Sequence, residues 1–229
     1  MEAQLADMTC VGIVGGLGVD ATVHYYERIT ASARARGFVP DLAIVHADVD
    51  TGQNLIRAGR LDQLAAYLAG FVERLAKAGA EHAVLPAVTP HICINELAPL
   101  LPIPLINIVE VLAAELVRQR IKRVALLGSI FTVQGSLWGQ LAGIDIVKPQ
   151  PDEIAFIGAA YQRILDGKTD PADADRFREI AKALQGRGAE TVLIAGTDLV
   201  TLFDEQTAGF PCLDVARLHI DAIVNVLAA

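Results

Sequence analysis

An eleven-residue stretch of this chain has an ungapped counterpart 109 positions further on (79 to 188). Gly79-Ala80-Glu81-His82-Ala83-Val84-Leu85-Pro86-Ala87-Val88-Thr89 lies over Gly188-Ala189-Glu190-Thr191-Val192-Leu193-Ile194-Ala195-Gly196-Thr197-Asp198. Each copy opens on a glycine suited to end a helix. A short apolar run follows that reads as a buried strand, then small residues and threonines where a strand gives way to a helix. In open α/β proteins ligands bind at the carboxyl ends of parallel strands. Two equivalent strand ends therefore imply one site built from two related halves.

The segments before the two copies support a duplication. Thr9 to Val14 reads as a strand ending in Gly15-Gly16-Leu17-Gly18, with a helix over Ala21 to Arg36. Arg123 to Leu127 reads as another, followed by Gly128-Ser129-Ile130-Phe131-Thr132 and a helix to about Leu141. The spacing from strand to repeat is 65 residues in the first half (14 to 79) and 61 in the second (127 to 188). The predicted fold class is α/β, with two pseudo-symmetric lobes. Each is a mainly parallel sheet flanked by helices, and the site lies in the cleft between them. Residues 1–108 plus 212–229 are expected to form the first lobe and 109–211 the second.

Between these landmarks, Leu42 to Ala47 is a strand ending at Asp48, and Thr51 to Gly59 reads as a polar surface loop carrying Arg57 and Arg60 at its far end. Leu61, Leu64, Ala65, Leu68, Val72, Leu75 and Ala76 recur at helical spacing up to Gly79. His91 to Leu100 is a short helix, Leu105 to Ile108 a strand and Val109 to Arg120 a helix. A brief strand within Gly143 to Pro151 and a helix over Glu153 to Leu165 come next. Asp170-Pro171 caps a helix running to about Gly186. Phe210 to Leu213 is the last strand and Val215 to Leu227 the closing helix.

A chain of 229 residues, 53% hydrophobic and 20% charged, can bury a sizeable core. Its net charge of -8 argues against nucleic acid and anionic membrane as partners. A small anionic ligand stays compatible, because local backbone amides can hold a carboxylate whatever the overall charge. Cys10, Cys93 and Cys212 are odd in number and widely spaced, so neither a disulfide framework nor a metal site is indicated. Met1 to Asp7 lacks the basic and apolar regions of a secretory leader, and a cytoplasmic location is expected. The glycine turn at Gly15 to Gly18 lacks the Gly-x-Gly-x-x-Gly spacing of a dinucleotide site, and no cofactor is expected.

Taken together these residues resemble the aspartate/glutamate racemase superfamily over nearly the whole chain. Gly12-Ile13-Val14-Gly15-Gly16-Leu17-Gly18 with Ala21-Thr22 is similar to the family's glycine-rich start, with Val19 in place of its usual proline. Leu127-Gly128-Ser129 with Thr132 is similar to its Leu-Gly-Thr-x-x-Thr segment, and Asp214 with His219 resembles the closing Asp and His of its last helix. The resemblance implies cofactor-independent chemistry on an amino acid or small carboxylate, with a homodimer as the oligomeric expectation. It implies substrate contacts from Gly16, Ala87, Val88, Thr89, Ser129, Thr132, Gly196 and Thr197.

The family's racemases place a cysteine in each paired loop, commonly within Cys-Asn-Thr-x-His and Gly-Cys-Thr-Glu. The matching segments here are Ala87-Val88-Thr89-Pro90-His91 and Ala195-Gly196-Thr197-Asp198, so Ala87 and Gly196 stand where the thiols would be. Racemisation without a cofactor needs a proton donor and acceptor on opposite faces of one carbon, which two tuned thiols can supply. Ala87 and Gly196 cannot. His91 and Asp198 are the titratable groups left near the two tips, each readable as an acid-base group or as a polar group fixing a helix start. The expected protein is thus an isomerase- or lyase-type enzyme that does not use two thiols. The alternative is a catalytically inactive binder of an amino acid or dicarboxylate.

Overall fold

The computed structural model describes residues 9–229. The expectation about Met1 to Asp7 falls outside them. The chain divides into two compact units, one comprising residues up to Asn107 together with His219–Ala229, the other Ile108–Leu218.

The first unit runs β1 Cys10–Gly15, α1 Val19–Ala35, β2 Asp41–His46, α2 Val49–Arg57, α3 Leu61–Lys77 and β3 His82–Val84. A 3-10 turn at Thr89–Cys93 and the short α4 Ile94–Leu97 follow. Its strands form a parallel sheet in the order β2-β1-β3. Ala83 adds a single parallel bridge to Leu105. The second unit runs α5 Ile108–Gln119, β4 Arg123–Leu127, α6 Ile130–Gly135, β5 Asp145–Val147, α7 Pro151–Leu165, α8 Asp173–Gly186, β6 Thr191–Ile194 and β7 Cys212–Asp214. Helix α9, Val215–Leu227, starts here and passes at His219 into the first unit. The second sheet is also parallel, in the order β5-β4-β6-β7.

The two sheets repeat one pattern: a first strand in the interior, the second outside it and the third on its other side, with the place beyond that taken by β7 in the second sheet and by the single bridge at Leu105 in the first. Register repeats as well. Val11 pairs with His82 as Val124 pairs with Thr191, and Ile13 with Val84 as Leu126 with Leu193. The physical content of Gly-Ala-Glu is now visible. Gly79 and Gly188 take φ of 97° and 102°, a left-handed turn that only glycine adopts freely. The next amide in each copy turns back onto its helix, Ala80 N–H to Leu75 O at 3.0 Å and Ala189 N–H to Leu184 O at 3.2 Å. Glu81 N–H then joins Cys10 O, and Glu190 N–H joins Arg123 O, each at 2.9 Å. Each glutamate side chain accepts from the start of the neighbouring strand: Cys10 N–H at 3.2 Å in the first unit, and Lys122 and Arg123 N–H at 2.9 and 2.8 Å in the second. The motif stops a helix and sets the register of the strand that follows it.

Helix α3 buries Leu64, Ala65, Leu68, Val72 and Leu75, the stripe that its spacing predicts. It lies directly on β1, where a Cβ at Gly12 would come within 2.9 Å of the Leu75 side chain. In the second unit Phe156, Phe177, Phe203 and Phe210 form a chain of edge-on ring contacts, with successive centroids 5.3, 5.9 and 5.8 Å apart. Such pairs add roughly 0.5–1.5 kcal/mol each beyond their burial.

Four expectations are corrected. The last strand, expected in the first lobe with 212–229, pairs with β6 (Ile194 with Asp214), so it belongs to the second sheet. Thr51 to Gly59 is not a loop but most of helix α2, because the Asp48 carboxylate caps its start by accepting from Thr51 N–H at 3.0 Å. Arg57 there donates to Gln53 and Asn54 of its own helix. The strand expected at Leu105 to Ile108 is reduced to the one bridge at Leu105, and Ile108 already opens α5. The helix expected to reach Leu141 ends at Gly135, where Ser136, Leu137 and Trp138 turn left-handed with φ near 51°, 50° and 52°. That turn costs on the order of 1 kcal/mol or more per residue, offset by complete burial of Leu137.

Candidate functional site

At the carboxyl end of β1 the chain makes a tight turn on Gly16. Its φ is 82°, and a Cβ there would lie 2.1 Å from Ala47 O, so no other residue fits. The Gly16 amide, expected to face a ligand, donates to Thr22 Oγ1 at 3.0 Å, and that hydroxyl donates to Gly18 O at 2.7 Å. The interaction holds the turn on the first residues of α1. Past β3, Ala87 and Val88 are buried and Thr89 opens the 3-10 turn. His91 is wholly buried, and its Nδ1–H donates to Ala87 O at 3.0 Å. Burial outweighs the backbone hydrogen bonds and pushes its pKa down to about 4, so the imidazole is neutral at pH 7 and ties the 3-10 turn back to Ala87.

His219, the other wholly buried histidine, ties α9 to this unit. Its Nε2–H donates to Ile106 O at 2.7 Å, which leaves Nδ1 to accept from the Tyr25 hydroxyl at 3.0 Å. Burial again pushes the pKa down, to about 3, and nearby His91 lowers it further.

In the second unit the carboxyl ends of β4 and β6 lie side by side. A Cβ at Gly128 would sit 2.7 Å from Ala195 O, so the glycine allows the two backbones to approach. Ser129 caps α6 by accepting from Thr132 N–H at 3.2 Å, and its hydroxyl is 3.1 Å from Thr132 Oγ1. Both residues thus have a local role at the helix start. At Gly196 a Cβ would meet Tyr161 Cε2 at 2.4 Å and the Gly128 Cα at 2.8 Å. The space beside residue 196 is filled by the Tyr161 ring.

Tyr161 was not among the residues singled out from the sequence. It sits on the buried face of α7 with Ile157, Ala160 and Ile164. Its hydroxyl donates to Asp198 Oδ2 at 3.0 Å, and both residues are buried. Burial, reinforced by the Asp198 charge, lifts the phenol well above its usual range. The Asp198 backbone and the Thr197 side chain oppose this by hydrogen bonding to the phenol oxygen. The signal in the sequence is a tyrosine at a core-facing helical position, whose hydroxyl must find a partner.

Asp214, at the end of β7, stands beside the end of β6. Its Oδ1 accepts from Ala216 N–H at 2.9 Å and Arg217 N–H at 3.3 Å. Burial and the nearby Glu205 carboxylate still raise its pKa to about 6. Glu205 in turn binds the Arg217 guanidinium at 2.6 and 3.0 Å.

None of the three thiols stands at a strand tip. Cys10 is the first residue of β1, five residues from Gly15, or roughly 16 Å along the strand. Cys212 is the first residue of β7, and burial pushes its pKa up to about 12. Cys93 is wholly buried, its pKa is likewise raised to about 12 by burial, and its thiol donates to Pro90 O at 3.2 Å. The predicted site residues thus fall into two groups. Gly16, Ala87, Val88, Thr89 and His91 gather at the tips of β1 and β3, and Ser129, Thr132, Gly196, Thr197 and Asp198 at those of β4 and β6. Among the described residues no group of three or more His, Cys, Asp or Glu side chains could hold a metal ion, and no helix is long and apolar enough to cross a membrane.

The model of the Asp/Glu/hydantoin racemase family matches residues 14–223. A candidate Asp/Glu racemase from Yersinia pestis has a similar structure, with a TM-score of 0.82 at 24% identity over 97% of this chain and 100% of that one. An aspartate racemase homologue from Pyrococcus horikoshii OT3 gives 0.77 at 22% identity, over 97% and 100%. The aspartate racemase of Picrophilus torridus gives 0.78 at 20%, over 96% and 94%. At these identities the structural likeness establishes the fold of two parallel sheets flanked by helices.

Proposed function

Because the chain belongs to the Asp/Glu/hydantoin racemase family, we propose that it is a cofactor-independent isomerase- or lyase-type enzyme that binds a small amino acid or carboxylate and does not use a pair of thiols. The observation that carries this reading is at residue 196. A two-thiol mechanism needs a cysteine there, whereas this chain has glycine and fills the adjoining space with the Tyr161 ring. Residue 87 is alanine, and each of the three thiols has a raised pKa that opposes thiolate formation.

Proton transfer on one face of the reacting carbon falls in this reading to Asp198, the carboxylate at the tip of β6 whose Oδ2 is held by Tyr161. This alone suffices for α-proton exchange or a lyase-type step but not for racemisation. A carboxylate fixed by one strong donor keeps its orientation as a proton moves, which general acid-base chemistry requires. His91 serves as a positioning residue for the Ala87 loop through its Nδ1–H, which donates to Ala87 O. Substrate contact on the second unit falls to Thr197, the residue beside Asp198. The filling of the residue 196 space also favours a second reading, that of a family member that binds its ligand without turning it over.

The deciding experiment follows the α-proton of each enantiomer of aspartate, glutamate and alanine by NMR in D2O, with binding measured alongside. Exchange in the wild type, abolished in Asp198→Asn, supports the enzyme. Binding without exchange removes the isomerase and leaves a lyase, read by loss of the ligand itself in the same spectra, or the binder. No binding and no exchange with any of the six compounds overturns both readings.

A further inference from the structure

Tyr161 does more than occupy a void. Its ring lies where a side chain at 196 would begin, with Cε2 only 2.4 Å from that Cβ position, and its hydroxyl is 3.0 Å from Asp198 Oδ2. The carboxyl end of β6 thus already directs a polar group at an oxygen that belongs to the protein. A ligand carboxylate arriving here would have to displace that hydroxyl and would face the Asp198 carboxylate at close range. Asp214 stands at the end of the adjacent strand, and the Arg217 guanidinium nearby is already bound to Glu205. The tip of the second sheet offers a carboxylate no unpaired cation among these groups and a built-in competitor.

We propose that Tyr161 is a specificity-determining residue that closes the β6 tip to a ligand carboxylate, so that the protein accepts small amino acids with a single carboxylate and rejects dicarboxylates such as aspartate and glutamate. This rests on the reading of the chain as an amino-acid-binding family member. Rejection of the wrong ligand by a group already in place, with like charge behind it, is a common source of selectivity. The α-carboxylate of an accepted ligand is held away from Tyr161, and the side chain that points toward it is small and uncharged.

Two measurements test the proposal separately from the reading beneath it. The first concerns position. Gly196→Ala should lower the thermal midpoint by roughly 3–10 °C, as overpacking does, and Tyr161→Ala in the same chain should remove most of that loss. Additive effects of the two changes would overturn the packing on which the proposal stands. The second concerns selectivity, read by calorimetric titration of alanine, aspartate and glutamate into the wild type, Tyr161→Phe and Tyr161→Ala. The wild type should bind alanine at least tenfold more tightly than either dicarboxylate. Tyr161→Ala should shift the affinity ratio of aspartate or glutamate to alanine by at least tenfold toward the dicarboxylate, and Tyr161→Phe, which keeps the ring, should shift it little. Equal binding of all three by the wild type, or no selective gain in Tyr161→Ala, overturns the proposal and leaves the family reading intact. Absence of binding by any variant overturns both.

Discussion

Replacing Asp214 by asparagine should remove a pH dependence of stability that the wild type shows just below neutrality. Asp214 is 6% exposed, and burial raises its carboxyl from the usual 3.8 to about 6 despite the two amides that it accepts from. A carboxyl whose pKa rises on folding contributes stability that is fully present below its unfolded pKa, near 3.8, and lost as pH climbs through the folded value near 6. The full span is about 2 pKa units, or about 3 kcal/mol. Between pH 5 and pH 7.5 the linkage relation leaves about 1–2 kcal/mol of it. Asparagine keeps the acceptor oxygen that caps α9 and cannot titrate. Urea unfolding of wild type and Asp214→Asn at half-unit pH steps isolates the effect, because the other carboxyl groups cancel in the difference. The difference should change by about 1–2 kcal/mol over that window, with the wild type losing ground as pH rises. Parallel curves would refute the reasoning, as would a wild type that gains on the variant toward neutral pH.

Other expected outcomes are simpler. Tyr25→Phe removes the donor to His219 Nδ1 in a buried setting and should cost about 1–2 kcal/mol in urea unfolding. Glu190→Ala frees two amides at the start of β4, whereas Glu81→Ala frees one at the start of β1. The former should therefore be the more destabilising, by about 1 kcal/mol, and the reverse order would contradict the role assigned to Gly-Ala-Glu. Asp48→Ala deletes the α2 cap and should cost about 1 kcal/mol, measured the same way. In a timed reaction with a disulfide reagent, half-exposed Cys212 should react first, with Cys10 and Cys93 modified only as the protein unfolds.

The sheets were legible because each of their features is local. A helix-ending glycine, a short apolar run and a turn announce a parallel strand wherever they occur, and Val215 to Leu227 was read with the bounds that the structure gives. Partner choice was not legible. Placing 212–229 in the first lobe fails at the last strand, whose sequence says that it is a strand and not which sheet it joins. Thr51 to Gly59 reads as a loop because Asp48 closes an apolar run; it lies two residues past β2 and caps α2, a role that its polar flanks do not announce. At the site, Ala87 and Gly196 could be located by alignment with the family's motifs. Tyr161 could not, since its hydroxyl meets Asp198 across 37 residues of sequence and nothing local marks the pair.

The division of the chain also orders events during synthesis. Ile108–Leu218 is continuous, whereas the other unit needs His219–Ala229, made after the whole of that continuous segment. The ribosome therefore delivers the first unit in two instalments, and that unit is complete only when α9 brings His219 to Tyr25 and Ile106. Although vectorial synthesis usually lets the amino-terminal part fold first, here the middle of the chain can finish first. Until His219 is made, the hydrogen bonds that it forms with Tyr25 and Ile106 cannot close.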